Sequence, residues 1–559
     1  MKLALPPPCD IGLPTRFQSW RPGQVEAIEF AIDDPRRFKG LVLPTGAGKS
    51  AIYMTIPRLT GWRTVVLTST KALQRQLAGE FEDETTALMQ GQRNYECVAV
   101  QPGRELANSF GSANGFTLMV DQGPCHAGVS CSLMENGCGY YDAIKAVLKA
   151  DIVITNYAWW FTLLMNSKVT LRPDLLVLDE AHAAPDALAD ALGATLKGSE
   201  VREFLPHKHF EMPPPEDTAQ WIAWAGRAAT HIARMLEGTS AHDRETAQRL
   251  RRAQALQRAC SRVSKIDPAL LIVTPQMDGA EMKFDVVWAA EYAEPWLFRG
   301  VPRIVLTSAT MSRHTGEMLG LMEKQLGMYE AGEGFDRRRR PVYVCPAIDM
   351  ITGDKVRVDH RMNARHEEVW LQHIDRIVER RGDRKGIIHS ISYRRRDMLM
   401  AKSAHRGRMM THGRHDTAER IAEFRRAARD SGAVLVSPAV TTGYDFPGDE
   451  CEYQIVCKIP FPDGRDPITA ARSLVDKKYP NYLAMQQLVQ MAGRGMRSAD
   501  DRCETLIVDA HASWFLSKHG DLMPKWFRQA VLHVTEIPAA PPRVNVQPSL
   551  AGQESEPND

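Results

Sequence analysis

A glycine-rich turn at a helix entrance constrains this chain most. Pro44-Thr45-Gly46-Ala47-Gly48-Lys49-Ser50 follows the apolar run 41–43 and leads into 51–56, which can continue as helix before Pro57. Gly46 and Gly48 let the backbone aim its amides at an anion, and a helix N-terminus adds partial positive charge. Lys49 places a cation on the β- and γ-phosphates of a nucleotide, and the Ser50 hydroxyl can ligate Mg2+. Thr45 and Ala47 complete the cradle. Leu43 stands where the usual pattern has its first glycine. A strand, such a turn and a helix predict an α/β fold built on a parallel sheet.

The rest of the chain must supply what this loop lacks. A chain of 559 residues holds several domain-sized units, and 44% hydrophobic with 25% charged residues is an ordinary globular balance. A net charge of +2 means that any nucleic-acid surface is local. The first residues are too short an apolar stretch for a signal peptide, and no run is long enough to span a bilayer. The expectation is a cytoplasmic protein with no membrane partner.

Upstream of the loop, Arg21 and Gln24 open a helix at 25–30, where a glutamine amide can offer a donor and an acceptor to an adenine edge. Residues 64–70 predict the next parallel strand, whose Thr, Ser and Lys exit suits phosphate contacts on a polynucleotide. The strand 175–178 ends in Asp179-Glu180-Ala181-His182. Asp179 there can hold Mg2+, Glu180 can deprotonate the attacking water, and His182 can sense the nucleotide or couple it to another site.

Between these strands lies an insert rich in Gly, Pro, Asn and Ser that holds Cys97, Cys125, Cys131 and Cys138, with 27, 5 and 6 residues between them. That is unlike the paired two-residue gaps of zinc ribbons. Four thiolates suit a cubane cluster or a zinc ion, and the spacing does not choose between them. Four unrelated buried thiols are the plain alternative.

Residues 183–300 predict mostly helix, clearest at 243–265, where Ala247, Leu250, Ala253, Leu256, Ala259 and Val263 recur near helical spacing. Its arginines make either a solvated face or a nucleic-acid contact. Four arginines at 337–340 make either a phosphate contact or a solvated junction before an edge or linker strand at 342–345. A second parallel α/β unit follows, with strands at 386–390, 433–437, 454–457 and 505–508. Two stretches there carry chemistry, 441–447 with Gly443 and Asp445, and 490–497 with Gln490, Arg494 and Arg497. Arg494 and Arg497 share a face and can clamp a γ-phosphoryl group, or make a surface ion-pair helix. The Pro-, Ser- and Glu-rich tail predicts disorder.

In order and spacing, these motifs resemble superfamily 2 helicases of the iron–sulfur DinG/XPD-type branch, across nearly the whole chain and nearest to bacterial or phage DinG-like members. Arg21-Pro22-Gly23-Gln24, residues 44–50, residues 179–182, Thr307-Ser308-Ala309-Thr310, Gly443-Tyr444-Asp445 and residues 490–497 carry the resemblance. So do Asn94-Tyr95-Glu96-Cys97, Tyr140-Tyr141 and residues 151–157. The resemblance implies two RecA-like motor domains, with an iron–sulfur insert and a helical arch inserted into the first. It divides the chain into motor domain one at 1–84, 150–182 and 301–345, a cluster domain at 85–149 and an arch at 183–300. Motor domain two then covers 346–537, and a disordered tail 538–559. It implies ATP and Mg2+ as cofactors and a [4Fe–4S] cluster on the four cysteines. ATP-driven 5′→3′ translocation on single-stranded DNA follows, with unwinding of duplexes, forks, D-loops or DNA–RNA hybrids by a monomer.

On that reading Arg21, Gln24, Thr45, Gly46, Ala47, Gly48, Lys49, Ser50, Gly443 and Asp445 bind nucleotide. Lys49, Asp179, Glu180, His182, Gln490, Arg494 and Arg497 serve hydrolysis. Tyr157, Trp159 and Trp160 are candidates for base stacking, with core packing the alternative. Ala510-His511 depart from the arginine usual after Asp509, so no role transfers there. DNA repair, R-loop removal, replication restart or service to a phage would use the same engine, in a nucleoid-associated or host-cytoplasmic setting. Two other classes compete: a translocase that strips proteins without separating strands, and a redox-gated DNA-binding module.

Overall fold

The computed structural model describes residues 5–104, 106–111, 116–163, 170–331, 336–356, 363–413, 415–438, 444–496 and 501–542. The chain forms two compact units, one of Met1–Arg337 with Pro460–Gly493 and Lys518–Gln529, the other of Arg338–Ile459 with Arg494–Ser517 and Ala530–Asp559.

The first unit is built on parallel strands β1 (Phe38–Val42), β2 (Thr64–Thr68), β3 (Thr86–Leu88), β4 (Ile152–Asn156) and β5 (Leu175–Asp179). An antiparallel trio, β6 (Ala194–Lys197), β7 (Leu271–Gln276) and β8 (Glu281–Val286), precedes the last parallel strands β9 (Arg303–Ser308) and β10 (Leu326–Glu330). The parallel sheet runs β10-β1-β9-β5-β2-β4-β3. Every residue of β1, β2 and β5 is buried, because a sheet covered on both faces needs apolar side chains at both parities. Val65, Leu67, Leu176 and Leu178 feed one core, and Val66, Leu175 and Val177 the other. The order puts β9 between β1 and β5, pairing Val42 with Ser308 and Asp179 with Thr307. Three segments far apart in sequence therefore end side by side.

The helix Lys49–Thr60 runs through Pro57, where the sequence suggested a stop. Pro57 sits in the last turn, where one lost hydrogen bond is cheap, and its carbonyl accepts from Gly61 N at 2.8 Å to close the helix. Residues 183–300 hold the expected helices, among them Thr218–Leu236 and Arg244–Val263, but also the three-stranded sheet β6-β8-β7 that the helical periodicity hid. Asp243 caps the second helix by accepting from Thr246 N at 2.8 Å. Its arginines divide between an exposed face and contacts with the rest of the protein. Arg249 and Arg252 pair with Glu203, while Arg251 and Arg262 donate to the carbonyls of Gly123 and Gly193.

The second unit is one parallel sheet, with β11 (Val342–Val344), β12 (Gly386–His389), β13 (Met409–Thr411), β14 (Val434–Ser437), β15 (Tyr453–Val456), β16 (Glu504–Ile507) and β17 (Val531–His533). Its order is β13-β14-β12-β15-β16-β11-β17. The stretch expected as an edge or linker strand is thus an interior one, pairing with β16 and β17, because Val342 and Val344 are buried. Arg340, last of the arginine run, is itself buried, and burial lowers its pKa to about 10. Residues 538–542, expected to be disordered, are tied down, with Pro538 O accepting from Arg381 Nη1 at 3.2 Å and Pro542 O from Arg502 Nη1 at 2.8 Å. The remaining tail lies outside the described residues.

Candidate nucleotide site and cysteine cavity

The loop after β1 has the conformation its glycines predict. Gly46 and Gly48 have φ of +80° and +73°, a region that favours glycine. A Cβ on Gly48 would stand 2.5 Å from Gln24 Nε2. Gln24 is 3% exposed, and both ends of its amide are engaged within the protein. Nε2 donates to Ala47 O at 2.8 Å, and Oε1 accepts from Arg21 N at 2.8 Å. Arg21 Nη1 donates to Gly46 O at 2.6 Å. In this arrangement Arg21 and Gln24 shape the loop.

Opposite the loop, Glu180 follows β5 in a left-handed conformation, φ +50°, which a side chain other than glycine adopts at a cost. That turn carries its carboxylate to 3.6 Å from Lys49 Nζ and 3.3 Å from His182 Nδ1. His182 Nδ1 also lies 2.8 Å from Ser308 Oγ, and Ser308 Oγ donates to Glu180 Oε2 at 3.4 Å. On its other side His182 Nε2 is 2.8 Å from Gln490 Nε2. With that amide donating, Nε2 accepts and Nδ1–H faces Ser308 and Glu180. Lys49, Glu180, His182, Ser308 and Gln490 therefore form one continuous polar chain.

Asp179 is 4% exposed and accepts from Tyr53 Oη at 3.3 Å. Burial, reinforced by the neighbouring Glu180 charge, raises its pKa well above the usual carboxylate value, while Lys49 opposes the rise. Burial also disfavours charge on Glu180, but Lys49 and then His182 outweigh it and hold that pKa well below normal. The pair is thus split, with charge favoured on Glu180 over Asp179.

In the second unit, Arg494 Nη1 donates to Tyr444 O at 2.7 Å and sits 3.4 Å from Asp445 Oδ1, joining two motifs 49 residues apart. Gly443 and Arg497 lie outside the described residues. Sequence reasoning placed Ser308 in a motif but gave it no role; its place at the end of the strand between β1 and β5 is what brings it to His182. Tyr157, Trp159 and Trp160 are 4%, 5% and 0% exposed, so core packing replaces base stacking. Trp160 Nε1 donates to Leu297 O at 2.8 Å.

Cys97, Cys125, Cys131 and Cys138 line one small cavity with Val120, Pro124, Leu133 and Tyr141. Among the described residues, the segment from Glu96 to Cys138 holds short helical turns and one bridge between Glu96 and Met119. Among the described residues, no group of three or more His, Cys, Asp or Glu side chains takes up a metal-binding arrangement. The donor chemistry nevertheless fits a soft, multi-thiolate group. Four cysteines and no Asp or Glu line the cavity, and a Cβ on Gly123 would stand 3.0 Å from Cys97 Sγ and 3.7 Å from Cys125 Sγ. Burial, and then the neighbouring thiols, push Cys97 up to about 11 and Cys125 above its ordinary value. Burial thus favours the protonated form of both thiols.

Two parallel-sheet α/β units, one with a glycine-rich loop facing an acid pair, resemble the RecA-like folds of helicases. Residues 379–530 match the family described as Helicase C-terminal domain, and residues 18–207 match the Type III restriction enzyme, res subunit. No curated protein matches the chain in sequence. Among solved structures the fold is similar to an XPD helicase, at 14% identity over 92% of this chain and 99% of that one, with a TM-score of 0.55. It is also similar to Xpd4 of S. tokodaii, at 12% identity over 92% and 99%, with a TM-score of 0.54. The family matches support a nucleic-acid-dependent ATPase of the helicase type. Among the described residues, no helix is long and apolar enough to cross a membrane.

Proposed function

We propose that the chain is an ATP-dependent 5′→3′ DNA helicase of the DinG type, working as a monomer on single-stranded DNA and on duplex, forked, D-loop or R-loop junctions. The observation that carries this reading is the polar chain from Lys49 through Glu180 and His182 to Gln490. Loop amides and Lys49 hold the phosphates, and Ser50 and Asp179 hold Mg2+. A water between Glu180 and the γ-phosphorus loses a proton to the Glu180 carboxylate as its oxygen attacks, and ADP leaves with the bridging oxygen. His182, Ser308 and Gln490 keep Glu180 turned toward that water. Arg494, and with it Arg497, is the proposed stabiliser of charge on the γ-phosphoryl group. Arg21, Gln24, Gly443 and Asp445 belong to the same nucleotide set.

Cys97, Cys125, Cys131 and Cys138 would hold a [4Fe–4S] cluster, which the resemblance favours over zinc. When bound, it supplies a four-point crosslink that folds the 85–149 domain. Gly123 leaves room beside two of the sulfurs, and Tyr141 lines the cavity wall. The domain layout 1–84, 85–149, 150–182, 183–300, 301–345 and 346–537 belongs to the same proposal.

Anaerobically purified protein tests it, by iron content and visible absorbance followed by duplexes with a 5′ or a 3′ single-stranded tail, with and without ATP. Iron together with opening of the 5′-tailed duplex alone is the expected result. Zinc in place of iron removes the cluster, and ATP turnover with neither duplex opened makes the protein a translocase.

A further inference from the structure

The segment 460–493 is folded onto the first unit, and the contacts of one of its arginines have no place in the hydrolysis scheme above. Arg472, in the helix Pro467–Val475, is 9% exposed. Its Nη1 donates to Asp186 Oδ1 at 2.5 Å and to Tyr479 Oη at 2.9 Å. Nε donates to Val287 O at 3.0 Å, and Nη2 reaches Val286 O at 3.5 Å. The guanidinium thus spans two places: the end of β8, and the first turn of the helix Ala184–Leu192, which starts two residues after His182. A planar group with donors in three directions meets such divergent acceptors, whereas an ammonium concentrates its donors at one point.

The same segment grips the neighbourhood of His182 elsewhere. Gln490 meets His182 directly, Tyr482 Oη lies 2.7 Å from Thr315 Oγ1, and Asp476 Oδ2 lies 2.8 Å from His314 Nε2. Thr315 and His314 belong to the helix that follows Ser308. Asp190, one turn beyond Asp186, has its pKa raised by burial and then by Asp186, and Arg472 opposes that rise. Arg472, together with Lys283, therefore offsets Asp186 and Asp190 on the helix directly behind the turn bearing Glu180 and His182. Without them, two carboxylates would repel across one turn.

We propose that Arg472, acting through Asp186, is a positioning residue that fixes the Glu180–His182 turn to the end of β8 and so sets the rate of the hydrolytic step without touching the nucleotide. The inference rests on the ATP-hydrolysis reading above. A residue that only orients the turn supports kcat and leaves ATP affinity to the glycine-rich loop, which it does not contact.

The test is steady-state ATP hydrolysis by the full chain with a dT oligonucleotide, comparing wild type with Arg472→Ala, Arg472→Lys, Asp186→Asn and the Arg472→Ala/Asp186→Asn double variant. The expected result for Arg472→Ala is a kcat lowered about tenfold, the low end for groups that orient metal-site ligands, with KM for ATP unchanged. Lysine restores part of the rate, and the double variant is no slower than Arg472→Ala, because both changes remove one contact. Equal rates in all variants overturn the proposal. So does a raised KM with unchanged kcat, or fully additive losses. If Arg472→Ala lowers the melting temperature enough to leave unfolded protein in the assay, Arg472→Lys and Asp186→Asn decide by the same kcat and KM criterion. Wild-type protein with no turnover fails at a different point, removing the ATPase reading itself and this inference with it.

Discussion

The glycine-rich loop and the cysteine insert are both irregular chain, but they are held in different ways. The loop is fixed from outside by protein groups alone: Gln24 and Arg21 bond its carbonyls, and β1 and the helix Lys49–Thr60 clamp its ends. Among its described residues the insert forms no sheet of its own. Tyr95, Tyr140 and Tyr141 pack edge to face, Val120, Cys138, Tyr140 and Val147 join the larger core of the first unit, and Cys97, Ala99, Val100 and Phe110 share a small core with the helix Arg244–Val263 through Ala247. A site built by packing exists before its ligand arrives. On the cluster reading proposed above, a site whose centre is four thiols would depend on that ligand for much of its order.

The largest expected effect tests this dependence. Chelation, or Cys97→Ser, should open residues 85–149 to proteolysis while the sheet of the first unit stays protected, since structural metal sites supply roughly 10 kcal/mol of folding free energy. Equal protease resistance with and without metal would mean that the insert is held by packing, as the loop is.

Next comes the loop's partner. Glu180→Gln should lower ATP turnover by about 10²- to 10⁴-fold, the usual contribution of a general base, and leave nucleotide binding intact. Loss of binding in place of turnover would make Glu180 a structural prop for Lys49.

A smaller effect follows from the split acid pair. Asp179 has a raised pKa, so the folded protein favours its protonated form, and Mg2+ must displace that proton. Apparent Mg2+ affinity should therefore strengthen as pH rises from the ordinary carboxylate range toward neutrality. The same shift makes Asp179 a stabilising group below its unfolded pKa of 3.8, and that contribution is lost as pH rises through the higher folded value. Titration of Mg2+-dependent turnover at several pH values checks the sign, and a flat profile rejects it.

The smallest change sharpens the insert's side of the comparison. Asp243→Ala removes the N-cap of the helix that supports the insert, and should cost about 1 kcal/mol in the local stability of 244–263. Hydrogen exchange should show faster opening of that helix and of the segment around Cys97 together. Faster exchange in the helix alone would uncouple the two.

Much of the nucleotide site was legible because its residues are close in sequence. Thr45 to Ser50 lie within one turn, and Asp179 to His182 within another, so spacing alone conveys their chemistry. The strands carrying them were legible as unbroken apolar runs. The antiparallel trio was not, because β7 and β8 are six residues each and alternate buried with half-buried positions over only part of that length, amid longer helical periodicity. The inward arginines of 244–263 were likewise illegible, since a guanidinium on a helix reads the same whether it meets water, Glu203 or the Gly123 carbonyl.

By itself the sequence determined that this chain has two parallel sheets, a glycine-rich turn and an acid pair at strand ends, and four cysteines gathered in one insert. These follow from local rules: which residues bury and which turn. Only the tertiary structure decided that β9 stands between β1 and β5 and so delivers Ser308 to His182. It also decided that β11 is an interior strand of the second sheet, and that residues 460–493 fold onto the first unit, with Gln490 reaching His182 and Arg472 reaching Asp186. Strand order and long-range ion pairs depend on which surfaces meet after the chain has folded, and no local pattern encodes that meeting.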